Sequence, residues 1–247
     1  MCETCGTHAV HSREGVGPNA GQNLVILNEH LLAVNDRAAE RNRAHFDACH
    51  LLVLNLMSSP GAGKTALLEA TADALKDELR MAVIEGDLET ENDAARIRAH
   101  GLAAVQITTG SACHLDAEMI HDAMHRIDLE ALDILFIENV GNLVCPANFD
   151  LGQHRNIALL SYAEGDDKPA KYPVLFRRAD LVVLTKSDLA PYLDDFDPER
   201  VRRNVRNLGN PAPILSVSAK SGGNLAAWFD WLLDQRAKRL SLAPAIA

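Results

Sequence analysis

No run in this sequence approaches the length of unbroken apolar residues that crosses a bilayer. Its first residues, Met-Cys-Glu-Thr-Cys, are also polar where an export signal would be apolar. A soluble, cytoplasmic protein is expected. Basic blocks are missing too. Lys and Arg number 24 against 34 Asp and Glu, and the resulting net charge of −10 argues against nucleic acid or an anionic membrane as a partner. Nor is there a disulfide framework. The five cysteines, at 2, 5, 49, 113 and 145, are odd in number and irregularly spaced. In a reducing compartment such residues bind metal or sit buried. What is present is 247 residues with 47% hydrophobic content, enough for the core of one large α/β domain.

The most informative stretch is Ser58-Ser59-Pro60-Gly61-Ala62-Gly63-Lys64-Thr65, which joins a strand-like run, Leu51 to Met57, to a helix-like run from Ala66 to Arg80. Gly61 and Gly63 permit the turns that aim successive N–H groups, including that of Ala62, at phosphate oxygens, and the helix adds its positive end. Lys64 then reaches the β and γ phosphates, and the Thr65 hydroxyl can ligate Mg²⁺. Ser58 stands where the general pattern has glycine. Nucleotide binding is the expectation.

Further strand-like runs are Met81 to Ile84, Ala104 to Thr108, Ile134 to Ile137, Ile157 to Tyr162, Leu181 to Leu184 and Pro213 to Val217, each leading into a polar loop. In a mostly parallel sheet those loops share the ligand edge. Asp87 would then hold Mg²⁺ directly or through water, or orient the attacking water. Glu138 has the Walker B place, and Gly141 can offer its N–H to the γ phosphate. Lys168, in a charged loop, could touch phosphate or a partner subunit, with plain solvation as the default. Thr185-Lys186-Ser187-Asp188 bears on the base. The Asp188 carboxylate accepts from N1–H and the 2-amino group of guanine, a donor pair that adenine lacks, while the Lys186 stem can lie on the ring. Thr185 replaces the usual Asn, which predicts weaker binding of an unchanged base. Ser218-Ala219-Lys220 is the companion loop, offering backbone N–H to the guanine O6. Leu225, Trp228, Phe229 and Leu232 mark the core face of a last helix, and Leu27 to Ala48 reads as an amphipathic helix at the other end.

Soft donors lie in two places. Cys2 and Cys5 form a Cys-x-x-Cys in a polar tail, residues 1 to 22, that can close on one thiophilic metal, with a redox pair or an idle tail as the alternatives. Cys113 and His114 follow a strand and are expected at the start of a helix capped by Ser111, where the dipole would lower the thiol pKa. As an isolated pair they more often read as a buried thiol and a surface imidazole. Cys145 changes that balance, because it lies only four residues beyond Gly141 on the loop that senses the γ phosphate. His45 and Cys49 read as surface and packing residues.

The motifs occur in the order a GTPase needs. Beyond them, Glu-Arg-Asn-Arg (40 to 43), the phosphate loop, Asn-Asp-Ala-Ala-Arg-Ile-Arg, Cys-His-Leu-Asp-Ala and Glu-Asn-Val-Gly-Asn-Leu-Val-Cys-Pro make the chain, from about residue 24 to 235, resemble the hydrogenase nickel-incorporation GTPases, the HypB family. The resemblance implies a three-layer P-loop NTPase fold of SIMIBI type over residues 23 to 247. It also implies GTP hydrolysis coupled to nickel delivery into a nickel-iron hydrogenase large subunit, a HypA-like accessory protein, and a GTP-dependent homodimer. By the same resemblance Cys113, His114 and Cys145 hold a metal, Zn²⁺ or Ni²⁺, and Cys2 and Cys5 hold nickel. The tail has Thr at position 7 where fuller versions have a third cysteine, and it lacks a histidine-rich stretch. The competing readings are a GTPase chaperone for another metalloenzyme such as urease, and a metal-storage or metal-sensing protein with a vestigial nucleotide site.

Overall fold

The computed structural model describes residues 20–87, 92–110 and 112–241. The chain divides into two compact units, residues 1–34 and 35–247. In the first, the described residues are helical from Ala20, the start of α1 (Ala20–Ala48).

The second unit holds seven strands, β1 (Leu52–Met57), β2 (Met81–Asp87), β3 (Ala103–Thr108), β4 (Ile134–Glu138), β5 (Arg155–Ser161), β6 (Leu181–Thr185) and β7 (Ile214–Ser216). They form one sheet in the order β3-β2-β4-β1-β5-β6-β7, and every pairing is parallel. Parallel strands need helical crossovers, which cover both faces, so the central strands read as apolar runs with no alternation. All six residues of β1 are buried. Leu52, Leu54 and Leu56 pack on one layer with Leu67 and Leu68 of α2 (Lys64–Leu75) and Trp228 and Leu232 of α8 (Leu225–Ser241). Val53 faces the other layer, with Phe46, Ile120 and Met124, the last two from α4 (Ala117–Met124). Cys49 packs at the edge of that second core. Beyond β5 and β6, α6 (Pro173–Arg178) and α7 (Pro198–Asn207) close a third cluster through Phe176, Val201 and Val205, while α3 (Asn92–Ala99) follows β2 and the short α5 (Lys168–Lys171) follows β5. The three-layer expectation thus holds, with a sheet that is parallel throughout its described strands.

The one buried amide in β1 sets up the site. Asn55 accepts from Asn139 Nδ2 at 3.2 Å and donates to Asn156 Oδ1 at 3.3 Å, tying β1 to the residue that follows β4 and to the start of β5. Among the described residues no helix is long and apolar enough to cross a membrane.

Candidate nucleotide and metal sites

The loop between β1 and α2 winds through two left-handed glycines, Gly61 at φ 74° and Gly63 at φ 94°, with Gly63 capping α2. It borders a cavity of about 400 Å³ lined by Lys64, Thr65, Glu85, Asp87, Glu138 and Gly141 among others. Lys64 donates from Nζ to the buried Ser58 Oγ at 3.1 Å, and Ser58 in turn donates to Ser59 O at 2.7 Å. The serine that departs from the glycine pattern is therefore a resting partner for the ammonium group. Gly141 lies against the loop, since a Cβ on it would meet Pro60 Cα at 2.8 Å.

Thr65 Oγ1 donates to Glu138 Oε1 at 2.8 Å. Glu85 and Glu138 are cross-strand partners in the β2–β4 register, and each has a buried Oε2 with no hydrogen-bond partner. Burial pushes the Glu85 carboxyl up to about 8, with the Glu138 charge adding to it. Burial likewise raises Glu138 to about 7, against the opposing pull of Lys64 and the Thr65 hydrogen bond. Unpartnered buried carboxylate oxygens beside a threonine hydroxyl are the donor set of a hard cation, and Mg²⁺ fits it. Asp87 lies at the rim of the same cavity.

A second cavity of about 250 Å³ adjoins the first, lined by Gly63, Thr185, Lys186, Asp188, Ser218, Ala219 and Lys220 among others. Ser218 Oγ donates to Asp188 Oδ1 at 2.6 Å, which orients the carboxylate. Lys186, in the left-handed region at φ 58°, donates from Nζ to Gly61 O at 2.7 Å, and its side chain borders both cavities. Thr185 Oγ1 donates to Ala62 O at 2.5 Å. Its hydroxyl thus ties the base loop to the phosphate loop, a contact that the expectation of weakened binding had not included.

Cys113, His114 and Cys145 come together, their ligand atoms all within 4.8 Å of one another. Cys113 Sγ lies 2.9 Å from Cys145 Sγ and 3.8 Å from His114 Nδ1. Two sulfurs on one tetrahedral zinc-sized ion would stand about 3.8 Å apart, so the thiols need to open by about an ångström. His114 stacks on Phe149 with centroids 3.9 Å apart, and burial lowers its pKa, which keeps the imidazole neutral and able to ligate. The Cys113 contact, then burial, pushes the Cys145 thiol up, so metal entry would release a proton.

The sequence pattern of the CobW/HypB/UreG nucleotide-binding domain matches residues 52–216. Hydrogenase maturation factor HypB of Escherichia coli K12 is 52% identical over 232 residues, 94% of this chain and 77% of that protein. The chain belongs to the HypB family. The crystal structure of HypB from Helicobacter pylori in complex with nickel superposes with a TM-score of 0.79 at 43% identity, covering 86% of this chain and 99% of that one. The relative from Helicobacter hepaticus, 43% identical over 90% of this chain and 92% of that protein, is named a hydrogenase/urease maturation factor.

Membership in the HypB family makes the chain a nucleotide-binding protein of the hydrogenase maturation machinery. One expectation is overturned. Cys113 and His114 do not open a helix, because α4 begins at Ala117 with Asp116 as its N-cap, accepting from Met119 N at 2.8 Å. The expected helix N-terminus is therefore absent at Cys113. Lys168 lines neither cavity; its ammonium sits 5.6 Å from the Tyr172 ring centroid. Cys2, Cys5 and Ser111 lie outside the described residues.

Three further site residues, Glu85, Asn139 and Asn142, carry a weaker signal in the sequence. Glu85 shares a strand face with Asp87 two residues on, and a carboxylate closing an apolar strand is costly unless it is used. Asn139 and Asn142 enter the sequence reading only as members of the run Glu-Asn-Val-Gly-Asn-Leu-Val-Cys-Pro. Yet Asn139 Oδ1 accepts from Leu115 N at 3.2 Å, and Asn142 Nδ2 donates to Cys113 O at 3.2 Å. Both amides of the β4 loop hold the loop that carries Cys113 and His114.

Proposed function

We propose that this chain hydrolyses GTP and uses the nucleotide cycle to hold and release nickel for a nickel-iron hydrogenase precursor. The observation that carries the reading is the pair of hydrogen bonds that Asn139, as acceptor, and Asn142, as donor, make with the Cys113–Leu115 segment, because it joins the thiol cluster to the loop bordering the phosphate cavity. Supporting it are the family and the nickel in the Helicobacter pylori relative. The working partners are the hydrogenase large subunit, a HypA-like accessory protein and, with GTP bound, a second copy of the chain. The setting is the cytoplasm. Expression in cells lacking their own HypB should restore hydrogenase activity at low nickel. Failure to restore it at any nickel level, with the protein folded and present, would overturn the assignment. The hydrogenase/urease name of the Helicobacter relative supports a second client, which a parallel urease assay would read out.

In the proposed cycle Lys64 leaves Ser58 for the β and γ phosphates, and the N–H groups of the 61–65 backbone hold their oxygens. Mg²⁺, when bound, supplies neutralising charge at those oxygens. Thr65 and Glu138 are its proposed holders, with Glu85 and Asp87 adjacent. Asp87 also stands where it can orient water, and Gly141 reports the γ phosphate through its N–H.

A pH dependence follows. Without the cation, Glu85 and Glu138 stay protonated to about 8 and about 7, above the ordinary carboxyl value of 4.5. Raised carboxyl pKa values mean that the folded state binds more protons than the unfolded one between 4.5 and about 7 to 8. Their contribution to stability is thus fully present below 4.5 and lost as pH rises through the folded values. Mg²⁺ must displace those protons, so its affinity should rise by up to about tenfold per pH unit per proton released as pH rises towards neutrality. Glu85→Gln should flatten the profile. Calorimetric Mg²⁺ titration across that range checks this, and a flat profile in the parent would rule the carboxylates out as ligands.

Base choice gives another prediction. Asp188→Asn replaces an acceptor with a donor opposite the guanine 2-amino group and suits the 2-oxygen of xanthine, so preference should move from GTP towards XTP by about ten- to a hundredfold. Competition binding reads the ratio, and an unmoved ratio would mean that Asp188 does not read the base.

A further inference from the structure

A second imidazole-rich cluster lies on the outer side of the fold, apart in sequence from the thiol site. His121 lies in the last turn of α4 and His125, four positions on, is its C-cap residue in helical conformation, which places both on one helix face. Their Nε2 atoms are 3.3 Å apart and their rings meet edge to face, with centroids at 4.7 Å. Two nitrogens bound to one tetrahedral ion at about 2.0–2.1 Å stand about 3.3–3.4 Å from each other. The pair already has that spacing. His45, on the α1 turn alongside, is exposed, and its ring centroid is 6.2 Å from that of His125, so its side chain has to turn to join the pair.

The buried Asn42 fixes the chemistry of this pair. Its Nδ2 donates to Ala117 O at 2.7 Å and to Leu151 O at 3.2 Å, so the amide cannot be turned about and its Oδ1 is an acceptor. That oxygen lies 3.2 Å from His121 Nδ1. The proton of neutral His121 is thereby held on Nδ1, and the Nε2 lone pair points at His125. A carbonyl oxygen on the far nitrogen is the outer support that metal-ligating histidines commonly have. The C-terminal end of α4 adds a negative potential that favours a cation.

We propose that His45, His121 and His125 form a second metal site, taking a divalent cation of the zinc, nickel or copper class through three neutral imidazoles, with water completing the shell. This site stands independently of the GTPase reading, since none of its residues lines either cavity. The tail and the thiol cluster would mask it in the parent chain. The test is therefore calorimetric titration, with Zn²⁺ and with Ni²⁺, of the untagged full-length chain carrying Cys2→Ser, Cys5→Ser, Cys113→Ser and Cys145→Ser. Thermal melting checks the fold, and the same titrations are repeated after adding His125→Ala and, separately, His121→Ala. One equivalent bound in this four-serine variant, which keeps Cys49 in its packed position, and weakened at least tenfold by either histidine change is the expected result. Should the four-serine variant not fold, the parent chain with and without His121→Ala plus His125→Ala is compared, and the double variant should bind one equivalent less. Binding that is the same with and without the two histidines would overturn the site.

Discussion

Lys64→Ala is expected to lower GTP turnover by about 10²- to 10³-fold, in the range seen when one preorganised charge or donor is removed from a reacting centre. The direct cause is loss of the ammonium from the β and γ phosphates. An indirect cause adds to it. The Lys64 charge holds the Glu138 and Glu85 carboxyls lower than burial alone would leave them, so its removal pushes both further up and weakens the proposed Mg²⁺ site at neutral pH. The residual activity should accordingly have its optimum at higher pH than the parent. The fold should survive, because the hydrogen bond lost, from the Lys64 ammonium to Ser58 Oγ, lies within the phosphate loop itself, and Ala is the better helix former at the start of α2. Phosphate release measured against pH, beside a thermal melt, checks both parts. Unchanged turnover in a folded variant would remove the reading of this loop as an active GTPase site and favour a vestigial nucleotide site in a storage protein.

The sequence made the nucleotide half of this protein legible for a physical reason. Phosphate loops and parallel strands are local patterns, and the run from Leu51 to Thr65 states strand, turn and helix in consecutive residues. The strand runs were placed within a few residues, and a parallel sheet gathers their C-terminal loops at one edge by geometry alone. Contacts made only through three dimensions were harder to read. Ser58 looked like a departure from pattern until its hydroxyl was seen under Lys64. Thr185 looked like a lost amide until its hydroxyl was seen on Ala62 O. The start of α4 was placed too early because Ser111 and Asp116 are both good N-caps, and only tertiary packing decides between two adequate local signals. Glu85 carried no motif, and the two loop asparagines shared in one, Glu-Asn-Val-Gly-Asn-Leu-Val-Cys-Pro, that gave them no individual role. Their meaning lies in cross-strand register and in bonds to a segment more than twenty residues away.

Those asparagines also set the second large effect. In a chain whose tail is silenced by Cys2→Ser and Cys5→Ser, Cys145→Ser should weaken zinc and nickel binding at the Cys113 cluster by about a hundredfold or more, since a thiolate is replaced by a poor neutral donor. With Cys145 intact, the two nucleotide states should differ in metal affinity by about 1–3 kcal/mol, and metal should alter nucleotide affinity by the same factor. The route is short. Gly141 is pressed against Pro60 of the phosphate loop, Asn142 beside it holds Cys113 O, and Cys145 follows on the same segment. A shift of the γ phosphate sensor therefore moves one thiol and the backbone of the other together, and a tetrahedral site tolerates only about ±0.2 Å in its bond lengths. Asn142→Ala leaves every metal donor in place but removes the bond to Cys113 O, the bond accepted from Val144 N and the side-chain contact with Cys145, so it should lower metal affinity in both nucleotide states and also reduce the difference between GDP and a non-hydrolysable GTP analogue. Competition titrations with a metal chelator in both nucleotide states measure all of these quantities. Equal affinities in the two states for both metals would leave a cluster that only shares a domain with the nucleotide, and an undiminished difference in Asn142→Ala would move the coupling to the Asn139–Leu115 contact.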